Sequence, residues 1–185
     1  MKKLSLSLAA AALALAACGG ETDSPVVSAP SAAPSTTVPA PARTAPVKEA
    51  SALLKFKGTK LDGTAFDGAS LAGKPVVFWF WAPWCPKCQA EGPAVAKAAQ
   101  KYGDKVVFVG IAGLDKSKSA MDRFVARTGT AGIVQLDDRT GALYKHFKVT
   151  MQSSYLIMNP EGGTHSAVGP LDVGELSSLI DENAL

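Results

Sequence analysis

The chain is poor in the side chains that hold metals, grip nucleic acid or cross membranes. Among 185 residues only His146 and His165 are histidines, and they share no metal-ligand spacing with each other or with a cysteine, so no metal site is expected. Basic residues are not in surplus. The formal charge of +3 includes Lys2 and Lys3; without those two, 17 Lys and Arg face 16 Asp and Glu, a balance that does not indicate a nucleic-acid partner. The N-terminal apolar stretch from Leu4 to Ala17 is too short for an ordinary spanning helix. No internal repeat is present. From Gly19 to about Glu49 large apolar side chains are almost missing, and Pro25, Pro30, Pro34, Pro39, Pro41 and Pro46 sit among Ala, Ser and Thr. Such a segment cannot bury enough surface to fold.

What remains falls into three parts. Lys2 and Lys3, the apolar stretch and the small residues before Cys18 read as a secretory signal over residues 1–17. Leu15-Ala16-Ala17-Cys18 resembles the bacterial lipobox, which implies cleavage before Cys18 and diacylglycerol on its sulfur; the plainer alternative is an ordinary signal cut nearby. Residues 18–49 would then form a lipidated, partly extended tether, at about 3 Å per residue in polyproline II form. Residues 50–185 suffice for one domain with one core.

Only three cysteines are present. With Cys18 assigned to the anchor, Cys85 and Cys88 form a pair in Phe78-Trp79-Phe80-Trp81-Ala82-Pro83-Trp84-Cys85-Pro86-Lys87-Cys88. An apolar, aromatic strand, a tight turn and two thiols on the first turn of a helix is the order that dithiol redox chemistry requires. The thiolate is the attacking species, so one cysteine must be acidic and held near its partner. A helix N-terminus offers unpaired N–H groups and the positive end of the helix dipole to Cys85, and Pro86 suits the first helical position. Lys87 adds positive charge between the thiols.

Around this motif strands and helices alternate, which predicts an α/β fold with a mainly parallel sheet. Asp62-Gly63 marks a hairpin between Phe56–Leu61 and Thr64–Phe66. A buried strand is expected over residues 75–81 and a helix from Gln89 to Tyr102 interrupted by Pro93, then a strand from Lys105 to Ala112. A helix capped at Ser117 or Ser119 ends at Gly129, and Ile133–Leu136 is the next strand. A short helix over Thr140–Phe147, strands at Tyr155–Met158 and Thr164–Val168, and a helix from about Asp172 to Glu182 complete the chain. Trp79 and Trp81 read as core, and Asp137-Asp138 as a turn and helix cap rather than a carboxylate pair.

Phe80-Trp81-Ala82-Pro83-Trp84-Cys85-Pro86-Lys87-Cys88 followed by Glu91-Gly92-Pro93 resembles the thioredoxin superfamily, closest to its TlpA/DsbE-like branch of exported thiol–disulfide oxidoreductases. The hairpin, Gly73-Lys74, Val149-Thr150 and the Asn159–Gly162 turn extend the likeness from about Ala50 to the C-terminus. The resemblance implies a thioredoxin-like fold, a central mixed sheet flanked by helices with an N-terminal β-hairpin. It also implies Cys85 as attacking thiol, Cys88 as resolving thiol, and a peptide-binding surface around the turn, with Trp84 as a contact.

Two positions depart from that pattern. Where thioredoxins carry a buried aspartate that helps move protons, this chain has Trp79; Glu91 is the nearest replacement by spacing, although the plainer expectation is a first-turn carboxylate facing solvent or the helix dipole. Where the superfamily carries a cis proline facing the cysteines, this chain has Ser153 after Gln152. A cis bond before a residue other than proline costs about 2.5–4 kcal/mol, so a trans Gln152–Ser153 bond is expected.

The reading is an extracytoplasmic, lipid-anchored thiol–disulfide oxidoreductase of the bacterial cell membrane, acting on exported protein thiols or disulfides with an external redox partner and no cofactor. Oxidation of clients is favoured; reduction of apocytochrome or other exported thiols is the alternative. From another class, a binding lipoprotein with a structural Cys85–Cys88 staple is a third reading, weakened because so small a loop stabilises little.

Overall fold

The computed structural model describes residues 52–185. The signal, the tether and Cys18 lie outside the described residues.

A six-residue strand built wholly of β-branched and aromatic side chains organises the domain. Val76–Trp81, β3, has every residue buried, because both faces of the sheet are covered. It is central in a five-stranded sheet of order β5-β4-β3-β6-β7. β4 (Val107–Gly113) runs parallel to it and β5 (Val134–Asp138) parallel to β4. β6 (Ser154–Met158) is antiparallel to β3, and the edge strand β7 (Thr164–Val168) antiparallel to β6. The sheet is mixed, as the thioredoxin-like reading requires. β1 (Lys57–Thr59) and β2 (Ala65–Asp67) form the separate N-terminal hairpin. Its end reaches the β5 edge, where the Leu61 N–H donates to Gln135 O at 2.9 Å.

The alternation of β3 divides the core. Val77, Trp79 and Trp81 face α1 (Pro86–Tyr102), α2 (Lys118–Thr128) and α4 (Val173–Asn183), while Val76, Phe78 and Phe80 pack with Phe56 and with Leu143 and Tyr144 of α3 (Ala142–His146). Trp81 stacks on Phe124 of α2 with ring centroids 4.1 Å apart. Both tryptophans are core, as read.

Local signals set most boundaries. Ser117 Oγ accepts the Ala120 N–H to start α2, and Gly129 ends it with φ +72°. Asp172 and Glu175 form a capping box on α4. Asp138 accepts the Leu143 and Tyr144 N–H groups, each at 2.9 Å, and so caps α3, while Asp137 pairs with Arg139.

Helix α1 departs from its expected form. It starts at Pro86 and continues through Pro93 to Tyr102. Proline there withdraws a single N–H from the ladder, and packed residues on both sides, Cys88, Glu91 and Gly92 before it and Val95 and Ala98 after it, hold the helix across the gap. Gly92 permits close approach to α2, since a Cβ there would lie 2.5 Å from Thr128 Cβ.

Candidate active site

β3 ends at Trp81, and Ala82-Pro83-Trp84 turn the chain so that Cys85 becomes the N-cap of α1. The Cys88 N–H donates to Cys85 Sγ at 3.2 Å, so the sulfur occupies the acceptor position that a serine or aspartate side chain takes at other helix starts. Pro86 fills the first helical position, and Lys87 is exposed beside it. Both cysteines are free thiols. Cys85 is 3 % exposed and Cys88 fully buried. Burial first, and then the adjacent Cys85 sulfur, push the Cys88 thiol well above its usual range.

Beneath the thiols lies a buried polar cluster. Glu91, one turn past Cys88, is only 2 % exposed. Its Oε1 accepts the Trp79 indole N–H at 2.7 Å and the Ser153 hydroxyl; its Oε2 accepts the Leu171 N–H at 3.2 Å. The solvent-facing expectation for Glu91 therefore fails: the turn that carries it points inward against the sheet. Burial raises its pKa above the ordinary carboxylate value, outweighing the donors from Trp79 and Leu171 that pull it down. The Tyr155 hydroxyl, buried next to the same carboxylate, completes no hydrogen bond, and burial pushes it strongly upward.

Ser153 is fully buried and Gln152 half-buried before it. The bond between them is cis, a correction to the trans expectation. The cost weighed for an isolated peptide leaves out how Ser153 is held: its hydroxyl on Glu91, its C=O accepting the Gly169 N–H at 3.0 Å, and Ser154 already in β6. Gly169 itself has no room for a side chain, because a Cβ would lie 2.1 Å from Glu91 Oε2 and 2.9 Å from Ser153 Oγ.

The rim is apolar. Trp84 is 52 % exposed, Met151 52 % and Leu114 45 %. The Trp84 indole N–H donates to Leu114 O at 2.9 Å, which fixes the ring toward the loop after β4.

The structure thus gathers Cys85, Pro86, Lys87, Cys88 and Glu91 on the first turns of α1 and brings Ser153 to Glu91. Sequence reasoning missed Leu171, Gly169 and Tyr155. Leu171 and Gly169 lie about eighty residues from Glu91 in the chain, and no spacing rule links them; Tyr155 had a signal, standing two residues past the Ser153 departure on a strand paired with Trp79. His146, by contrast, bonds Leu53 O at 2.8 Å in a peripheral position. Among the described residues no three His, Cys, Asp or Glu side chains are grouped so that they could hold a metal.

Similarity to known proteins agrees with this geometry. The Redoxin family model matches residues 29–159. The soluble secreted antigen MPT53 of Mycobacterium tuberculosis is 38% identical over 121 residues, 65% of this chain and 68% of that protein. The structure of MTB DsbF in its mixed oxidized and reduced forms is 41% identical with a TM-score of 0.68, covering 71% of this chain and 96% of that one. A secreted Mycobacterium tuberculosis disulfide oxidoreductase homologous to E. coli DsbE gives 35% identity and a TM-score of 0.66, over 70% and 97% of the two chains. With this fold and these relatives, the chain belongs to the Redoxin family and is an oxidoreductase with a thioredoxin-like architecture.

Proposed function

We propose that the protein exchanges disulfides with exported proteins through Cys85 and Cys88, acting as their oxidase. One observation carries the exchange: Cys85 caps α1 and takes the Cys88 N–H on its sulfur, while Cys88 is fully buried and its thiol is held protonated. The two sulfurs are therefore unequal, one suited to meet a client and the other to resolve.

In the oxidising direction a client thiolate attacks Cys85 Sγ of the Cys85–Cys88 disulfide. A client–Cys85 disulfide forms, and Cys88 departs with the electron pair. A second client thiolate then attacks the client sulfur of the mixed disulfide and releases Cys85. The client has lost two electrons, the protein pair has gained them, and an extracytoplasmic oxidant must remove them again. Glu91 serves the proton side: its raised pKa suits it to hold a proton and deliver it to the buried Cys88 sulfur as that sulfur leaves. Trp84 and Met151 supply client contact, Gln152 and Ser153 shape the facing loop, and Lys87 and Pro86 favour negative charge at the helix start.

The secreted relatives support an extracytoplasmic place for this chemistry. The lipobox-like Leu15–Cys18 supports a lipid anchor at Cys18, with residues 18–49 as tether and 50–185 as the catalytic domain. Labelling with a fatty acid that Cys18→Ser abolishes is the outcome expected.

The reduction potential of the Cys85–Cys88 pair decides direction. A value near that of DsbA, about −120 mV, is expected; one near that of thioredoxin, about −270 mV, would assign the reducing role instead.

A further inference from the structure

Helix α2 carries Arg123 and Arg127 one turn apart, both exposed. Neither takes part in an ion pair among the described residues. Like charges at this spacing repel. Together with Trp84, Gln89 and Asp115 they line a cleft of about 280 Å³. The cleft adjoins the turn that precedes the thiols, because Pro83 and Trp84 line it.

The other polar groups of this cleft are already engaged. The Trp84 indole N–H is given to Leu114 O at 2.9 Å, the Gln89 amide N–H to Pro83 O at 3.1 Å, and Asp115 Oδ1 accepts the Ser117 N–H at 2.6 Å. These bonds hold the walls, and the two guanidinium groups are the only cations that line the cleft. Asp115 offsets one of the two positive charges, and the balance remains positive. The Arg127 guanidinium carbon stands 6.0 Å from the Phe124 ring centroid. A planar fork of donors beside an exposed indole matches a carboxylate on an extended peptide.

We propose that this cleft is a client subsite for an acidic side chain, Asp or Glu, located a few residues from the client cysteine that reacts at Cys85. An extended client advances about 3.3 Å per residue, so with its sulfur at Cys85 its flanking residues cross Trp84 and reach the arginines. The inference rests on the thiol-exchange reading and adds to it a preference among clients.

The test uses the full chain and two dithiol peptides that differ only in carrying Glu or Gln beside the cysteine. At low ionic strength the wild type reacts with the Glu peptide at least about tenfold faster in kcat/KM. That preference disappears in Arg123→Gln/Arg127→Gln and at 1 M salt, where screening acts within about 3 Å, and survives in Arg127→Lys. Arg123→Glu/Arg127→Glu favours a Lys peptide over the Glu one. Equal rates for the Glu and Gln peptides with the wild type would overturn the subsite while leaving thiol exchange intact. A redox-inert peptide, the Glu peptide with Ser in place of each Cys, reads binding through tryptophan fluorescence without any redox step. If it binds through the arginines while neither dithiol peptide exchanges, the subsite stands and the exchange reading falls; if it fails to bind and neither peptide exchanges, both fall.

Discussion

The Trp79 indole N–H donates to Glu91 Oε1 at 2.7 Å, joining the middle of the central strand to the helix that carries both cysteines. Where the resemblance leads one to expect an acid on the strand, the strand supplies a donor and the helix supplies the acid. The buried carboxylate survives because three donors converge on it, and burial still wins: its pKa is raised.

That balance gives Glu91 a pH signature. A carboxyl whose folded value lies above its unfolded one keeps more protons in the native state, so its contribution to stability is complete below about pH 4.5, the ordinary value, and declines as pH rises through the folded value. Each unit of difference is worth about 1.4 kcal/mol. Glu91→Gln removes the titration but turns an amide against one donor, a loss of about 1–3 kcal/mol. The variant is expected to be the less stable protein in acid and to gain on the wild type as pH rises above 4.5. Denaturant melts of both proteins from pH 4 to 9 check this; parallel curves would count against a buried, titrating Glu91. Exchange by the variant should also slow and lose a pH-dependent step, if Glu91 passes a proton to Cys88.

Gly169 is tied to the same carboxylate by lack of space. With a Cβ 2.1 Å from Glu91 Oε2, Gly169→Ala must displace either the carboxylate or the backbone that offers the Leu171 N–H. Overpacking of this kind costs about 1–3 kcal/mol. Gly132→Ala, where a Cβ meets nothing within 4 Å, is the control expected to change stability by less than about 0.5 kcal/mol. Equal effects of the two substitutions would show that the contact does not constrain the site.

Ser153 separates two contributions at one position. Ser153→Ala removes only the hydroxyl on Glu91, leaving the carboxylate with the Trp79 and Leu171 donors, so its pKa should rise further and the pH profile of exchange move to higher pH. Ser153→Pro removes the same hydroxyl but restores the residue that the thioredoxin superfamily carries there, and faster dithiol–disulfide exchange with a model peptide is the expected outcome. Stopped-flow exchange across pH on both variants distinguishes loop shape from the hydroxyl.

Local chemistry explains what the sequence made legible. The aromatic run of β3, the Ser117 and Asp172 caps, Gly129 and the Asp62-Gly63 hairpin act within a few residues of themselves, and each stands where periodicity and capping place it. Cys85 and Cys88 belong to this local class, since their geometry is made by one turn and one helix start. Glu91 does not: spacing put it one turn past Cys88, but whether that turn meets solvent or Trp79 depends on α1 lying against the sheet. The polar cluster joins β3, α1, the loop before β6 and the approach to α4, four segments whose meeting is a property of the whole fold. The continuous α1 is a similar case, because tertiary packing on both sides of Pro93 outweighs one missing hydrogen bond.

The inequality of the two sulfurs leads to the most direct measurement. Cys85 retains slight exposure at the start of α1, whereas Cys88 is sealed beneath it with its thiol pushed up by burial. A client can therefore form a disulfide with Cys85, and within this protein only Cys88, one helical turn away, is placed to break it. Cys85→Ser should abolish exchange. Given a client that carries a disulfide, Cys88→Ser should still form the mixed disulfide, Cys85 attacking and one client thiolate leaving, but be unable to resolve it from within, so a covalent client adduct accumulates, visible on a non-reducing gel and by intact mass, and dispersed by reductant. Serine at 88 preserves the N–H that Cys85 Sγ accepts, which keeps the helix start as it is. Adduct formation by Cys85→Ser in place of Cys88→Ser would reverse the roles of the two thiols, and adducts on neither would remove the dithiol exchange on which the proposed function stands.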